Sequence, residues 1–154
     1  GVEFRKATLD SSPTLVKPLM FGNNLDGYAM YAPQHARALR KSMLAWLQLP
    51  SPTCARRHYA HITILDRKRS RRIMHAETLR QALADAVSPQ RIRLVYFEDT
   101  SFAAQMAVLS DTDILITPHG AQLASVPFLR PCASVLEIFP FHYCLPYFYG
   151  SLAS

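Results

Sequence analysis

The chain has 154 residues, 49% hydrophobic and 18% charged, which excludes a disordered protein and suffices for one domain with a real core. The net charge of +6 points to a polyanionic ligand, but its distribution excludes a uniformly basic coat. Residues 1–60 and 61–93 each hold eight Lys/Arg against three acids, whereas 94–154 hold one Arg against five acids.

Residues 1–33 are punctuated by Ser12-Pro13, Lys17-Pro18, Phe21-Gly22-Asn23-Asn24 and Asp26-Gly27, and read as an irregular lead-in or interdomain connection. After Pro33 a helical pattern starts. Ala36, Leu39, Met43, Trp46 and Leu47 recur at three and four, Arg37, Arg40 and Lys41 face elsewhere, and Pro50 and Pro52 end it. Four short apolar strands then follow, over 61–65, 92–97, 113–117 and 134–139. Helices over 76–87, 102–110 and 121–129 separate them, and a last one is expected over 147–153. Pro127 complicates the third, because an interior proline removes a helical hydrogen bond. This alternation predicts, over 34–154, a Rossmann-like three-layer α/β domain with a parallel sheet and helices on both faces. Ile114-Leu115-Ile116 and Val135-Leu136-Glu137-Ile138-Phe139 are expected to be covered on both faces, as central parallel strands are.

No apolar run approaches the ~20 residues of a membrane span, and no signal peptide is visible. The first residue is Gly1 and not Met, so the chain is expected to be an excerpt or a processed product. Cys54, Cys132 and Cys144 have no metal-ligand spacing. With three thiols, at least one is free or pairs outside the segment. One disulfide in an oxidising compartment and buried small hydrophobes are both open readings.

Ligands of open parallel sheets bind outside the carboxyl ends of the strands, and the unusual residues collect there. After the third strand, His119-Gly120-Ala121-Gln122-Leu123 offers a small residue that lets backbone approach a phosphate, and a helix start with free N–H groups. The alternative is a turn glycine beside a satisfied histidine. The basic run 67–72 reads as a solvated face, a localisation-like patch or a phosphate clamp. Arg67 stands apart, because a guanidinium just past a strand reaches a phosphate bidentately. Glu137, inside an apolar strand, accepts ribose hydroxyls or forms a core ion pair. Thr100 or Ser101 caps the helix beginning at Phe102 and lies where a base or phosphate is met, with Gln105 one turn on.

Ile64-Leu65-Asp66-Arg67, Arg71-Arg72-Ile73, Glu77-Thr78-Leu79, Thr100-Ser101-Phe102-Ala103-Ala104-Gln105, His119 to Leu123, Phe128-Leu129 and Val135 to Pro140 occur in this order. The ordered set resembles the C-terminal region of glycosyltransferase family 61, over about residues 35–153. That family spans plant xylan glycosyltransferases and animal O-linked mannose and EGF-domain N-acetylglucosaminyltransferases. The resemblance implies the C-terminal half of a GT-B fold, an inverting reaction, a UDP-sugar donor and a glycan or glycoprotein acceptor. No acidic metal-binding pair stands out at the strand ends, so no obligatory metal is expected in this half. It further implies a parent in the Golgi or endoplasmic reticulum lumen, membrane-anchored upstream, with a second domain outside this chain. Arg67, Arg71, His119, Gly120, Ala121, Gln122 and Leu123 would meet the diphosphate, and Thr100, Ser101 and Glu137 the nucleoside. His75, Pro127 and Cys132 depart from the commoner family residues. The rivals are a non-catalytic member that has lost donor binding and a nucleic-acid-binding module using Arg56-Arg57 and 67–72. The acidic last third argues against the second.

Overall fold

A computed structural model describes residues 3–4, 33–55, 58–87, 89–145, 147–150 and 152. Its sheet has five parallel strands: β1 (Glu3–Phe4), β2 (His61–Asp66), β3 (Arg91–Tyr96), β4 (Ile114–Pro118) and β5 (Ser134–Ile138). The order is β1-β5-β4-β2-β3. The four expected strands are present within a residue or two and all run parallel. The two-residue β1 beside β5 is an addition, since only an irregular lead-in is expected there. The rest of that lead-in, apart from Pro33, lies outside the described residues, as do Arg56 and Arg57.

Successive strand residues face opposite sides of a sheet, and this period sorts the core in two. Ile62, Ile64 and Ile116 lie on one face, packed with Leu79 and Leu83 of α2 (Ala76–Ala86) and with Ile92 and Leu94. Leu65, Leu115 and Val135 lie on the other, with Met106 and Leu109 of α3 (Phe102–Ser110) and with Leu123, Val126 and Leu129. Helices therefore cover both faces. A single turn, α4 (Tyr147–Gly150), adds Tyr149 to the second core.

Three expectations need correction. In α1 (Pro33–Trp46) the buried residue is Leu44, with Ala36, Arg40, Met43 and Leu47 half-buried, while Leu39 is 39% and Trp46 73% exposed. The stripe is helical but rotated, because Arg40 turns inward and donates to the Leu129 carbonyl at 2.9 Å. A long cationic side chain can cover apolar surface with its stem in this way. Residues Ala121–Phe128 form a 3-10 helix, not an α-helix, with tight bonds from Leu123 N to Gly120 O and Leu129 N to Val126 O. Pro127 has no N–H to sustain the α-helical ladder at this point. Finally, Leu136 is 40% and Ile138 36% exposed. α2 packs on β2 and β3, and β5 is followed only by the two-residue β1, so one face of β5 is not covered as a central strand would be.

Cys54 and Cys132 form a disulfide that joins the segment before β2 to the turn before β5. Cys144 is free and exposed.

Candidate functional site

The chain leaves β2 for β3 on one side of it and then crosses to β4 on the other. The switch point is therefore the crevice between the carboxyl ends of β2 and β4, where open α/β sheets bind ligands. Arg67 is the first residue after β2, and His119-Gly120 follow β4 directly. They meet: a Cβ added to Gly120 would stand 3.0 Å from Arg67 NH1 and 3.8 Å from its Cζ. Gly120 is extended (φ 163°), a conformation open to any residue, so what the absence of a side chain provides here is room for the guanidinium to lie against the backbone. Arg67 NH1 is buried with no hydrogen-bond partner among the described residues. A buried unpaired donor costs about 1–3 kcal/mol, more when charged, and an anion in the crevice would remove that cost.

The next residues form a closed polar pair. His119 Nδ1 lies 2.5 Å from Glu137 Oε1, and both side chains are 3% exposed. The imidazole sits among Phe139, Tyr143, Phe148 and Tyr149, with ring centroids 5.1–5.9 Å away. Burial pushes the Glu137 carboxyl above its ordinary range, while the hydrogen bond and charge of His119 pull it back. Its second oxygen, Oε2, is buried and unpartnered among the described residues. Glu137 thus stands in a core pair with His119 and retains one free acceptor.

Several predicted residues serve the scaffold visibly. Gln122 Nε2 donates to Leu65 O (3.2 Å) and Thr117 Oγ1 (2.5 Å), tying the end of β2 to β4. Leu123 is fully buried in the core and donates its N–H to Gly120 O. Ala121 is exposed at the first position of the 3-10 helix. Ser101 caps α3 by accepting the Ala104 N–H at 3.3 Å, and Thr100 Oγ1 donates to Phe97 O at 2.8 Å. Both are exposed on the rim beyond β3.

The basic loop is pinned at both ends by two acids that the sequence pattern did not single out. Asp66, 2% exposed, accepts the Ile73 N–H at 2.7 Å, and Glu98 Oε1 accepts the Lys68 N–H at 2.9 Å. Their signal was position at the ligand edge, since Asp66 ends β2 and Glu98 lies two residues past β3. Arg69, Arg71 and Arg72 are exposed on the loop, Arg71 in the left-handed region (φ 53°).

The sheet order also divides residues grouped by sequence. Thr100 and Ser101 follow β3, and Glu137 lies on β5, with β2 and β4 between them. Three strand spacings are roughly 14 Å, too far for one ribose to touch both.

Fold and site define a doubly wound α/β domain with Arg67, His119 and Gly120 gathered at its switch point. The sequence pattern described as Glycosyltransferase 61 matches residues 11–136, which hold every site residue named above except Glu137, one position beyond. The chain belongs to glycosyltransferase family 61. It is 37% identical over 81 residues to a Tetraodon nigroviridis protein named Protein O-linked-mannose beta-1,4-N-acetylglucosaminyltransferase 2, covering 53% of this chain and 14% of that protein. Proteins of the same name from Xenopus tropicalis (37% over 82 residues) and Homo sapiens (33% over 81 residues) match with the same coverage of each chain. The matched stretch therefore spans about one seventh of these relatives' length.

Proposed function

We propose that this chain is the donor-binding part, the C-terminal half of a GT-B fold, of an inverting glycosyltransferase that moves a sugar from a UDP-sugar to a glycan or protein hydroxyl. The observation that carries the reading is the buried, unpartnered Arg67 NH1 lying on Gly120 at the switch point. In an inverting displacement the leaving diphosphate gathers negative charge as the acceptor loses its proton to a base. Arg67 meets that charge directly. The first N–H groups of the 3-10 helix, at Gly120 and Ala121, have no acceptor within it and face an anion favourably. His119, held at Nδ1 by Glu137, adds its other ring nitrogen, and Arg71 adds an exposed charge from the loop. The cationic role falls to these side chains with no obligatory metal.

The Cys54–Cys132 disulfide suits an oxidising compartment. With the relatives' names it supports a parent working in the Golgi or endoplasmic reticulum lumen. No helix among the described residues is long and apolar enough to cross a membrane, so we assign any anchor to sequence outside this segment. The acidic last third supports a nucleotide-sugar rather than a nucleic-acid partner.

Titration calorimetry of the chain with UDP, ATP and NAD tests the reading. UDP should bind best, and Arg67→Ala should weaken it about 10- to 150-fold, the worth of a charge-assisted hydrogen bond, while the thermal midpoint stays near wild type. Equal affinity for all three nucleotides would sink the proposal.

A further inference from the structure

Resting on that reading, we infer that Glu98 is a positioning residue for Arg67: its carboxylate stands in for a backbone carbonyl and fixes the peptide that leaves the arginine. How the chain turns off β2 decides whether the guanidinium meets Gly120. The entering side of that turn is held by the sheet. Asp66 pairs in register with Tyr96, and the Leu65 carbonyl accepts the Gln122 amide at 3.2 Å. The leaving side is Lys68, two residues past the last paired position. Beside it lies an open cleft lined by Glu98 and by Ala104 and Gln105 of α3, and among the described residues no strand flanks β3 there.

The parity of the ladder shows what the Lys68 N–H would meet. Arg91 donates its N–H to Ala60 O, so the odd residues of β3 turn their backbone to β2. One more rung past Asp66 would send the Lys68 N–H to the Phe97 carbonyl. That carbonyl serves the start of α3 instead. It accepts the Thr100 N–H (3.2 Å), the Thr100 hydroxyl (2.8 Å) and the Gln105 amide (3.3 Å). The next residue supplies the substitute: Glu98 Oε1 accepts the Lys68 N–H at 2.9 Å, and the Lys68 ammonium reaches Asp99 Oδ2 at 3.2 Å. A side chain thus extends the ladder by one rung, onto the peptide that adjoins Arg67. Holding a recognition group in its bound geometry lowers the ordering cost of binding. The sign of the effect is diagnostic. Coulomb's law makes an acid beside an anion site repel the ligand, so a bystander carboxylate weakens anion binding, whereas a positioning one strengthens it.

The test measures inorganic pyrophosphate binding by calorimetry to the wild-type chain, Glu98→Gln and Glu98→Ala, each also combined with Arg67→Ala, together with hydrogen exchange of the Lys68 amide. Gln keeps an acceptor without the charge. It should match or exceed wild-type affinity, with the Lys68 amide still protected. Ala removes the acceptor. It should weaken pyrophosphate about 10-fold, the worth of one hydrogen bond to a charged group, and release the Lys68 amide to exchange. In the Arg67→Ala background the same change should cost less than about twofold, because residues that act through one another are not additive. Unchanged or tighter binding in Glu98→Ala would make the carboxylate a bystander, and an equal loss in both backgrounds would make it a general support of the fold. Either overturns the inference, as does a Gln variant as weak as Ala. Equal affinity of the wild-type chain for UDP, ATP and NAD removes the donor reading and leaves the pyrophosphate comparison standing; a wild-type chain that binds no pyrophosphate overturns both.

Discussion

At the amino ends of the strands the buried polar side chains are almost fully paired, and at the carboxyl ends several keep one atom unmatched among the described residues. Arg130, 5% exposed, pairs with Asp113 and donates to the carbonyls of Thr53 (2.6 Å) and Ala55 (2.8 Å). Asp113 also accepts the His61 N–H at 2.8 Å. Arg93 bonds Thr63, Thr112 and the Val108 carbonyl, and the two threonine hydroxyls lie 2.7 Å apart. Only Nε of Arg130 is unmet in this set. At the opposite edge, Arg67 NH1, Glu98 Oε2 and Glu137 Oε2 are all buried and unpartnered among the described residues. Both edges bury charge. One edge pairs it within the fold, while the other keeps three unmatched atoms, which under the proposed function a bound donor would complete.

The largest expected effect tests the closed edge. Arg130→Ala leaves Asp113 without its buried partner and frees two carbonyls, and should cost about 3–5 kcal/mol in urea unfolding. A loss under about 1 kcal/mol, the worth of an exposed pair, would erase the contrast between the edges. Next comes the disulfide, which crosslinks positions 78 residues apart at that same edge. Replacing Cys54 and Cys132 together by Ser should cost about 2–4 kcal/mol, with UDP affinity per folded molecule unaffected. Reduced affinity in that variant would show that the edges are coupled.

The smallest effect sharpens the other side. Burial raises the Glu137 carboxyl pKa, so the fold favours its protonated form. That contribution is complete below the ordinary value of 4.5 and is lost as pH rises through the raised folded value. Gln stays neutral throughout. The melting-temperature advantage of wild type over Glu137→Gln should therefore shrink as pH climbs above 4.5. An advantage that grows with pH would mean that attraction to His119 outweighs burial, and would move Glu137 to the closed class.

Much of this was legible in the chain. Short apolar runs at Ile62 to Leu65 and Ile114 to Ile116, separated by the four-spaced Leu79 and Leu83 and by a helix cap at Thr100 or Ser101, specify strand, helix and order without tertiary help. The placing of Arg67, His119 and Gly120 at one edge followed from parallel topology alone. The face of α1 was not legible. Leu39 and Leu44 are equally apolar, and only packing against the 3-10 helix chose Leu44. Nor was that 3-10 winding legible, although Pro127 warned of it.

The sequence by itself determined the elements, their parallel alternation and the edge at which chemistry gathers, because these depend on local periodicity and on which residues end each strand. Only the tertiary structure decided which of those residues share a site. Strand order is set by long-range pairing, and it put β2 and β4 together while sending β3 and β5 to opposite flanks. That separation places Arg67 on Gly120, encloses Glu137 with His119, and leaves Glu98 facing the open cleft.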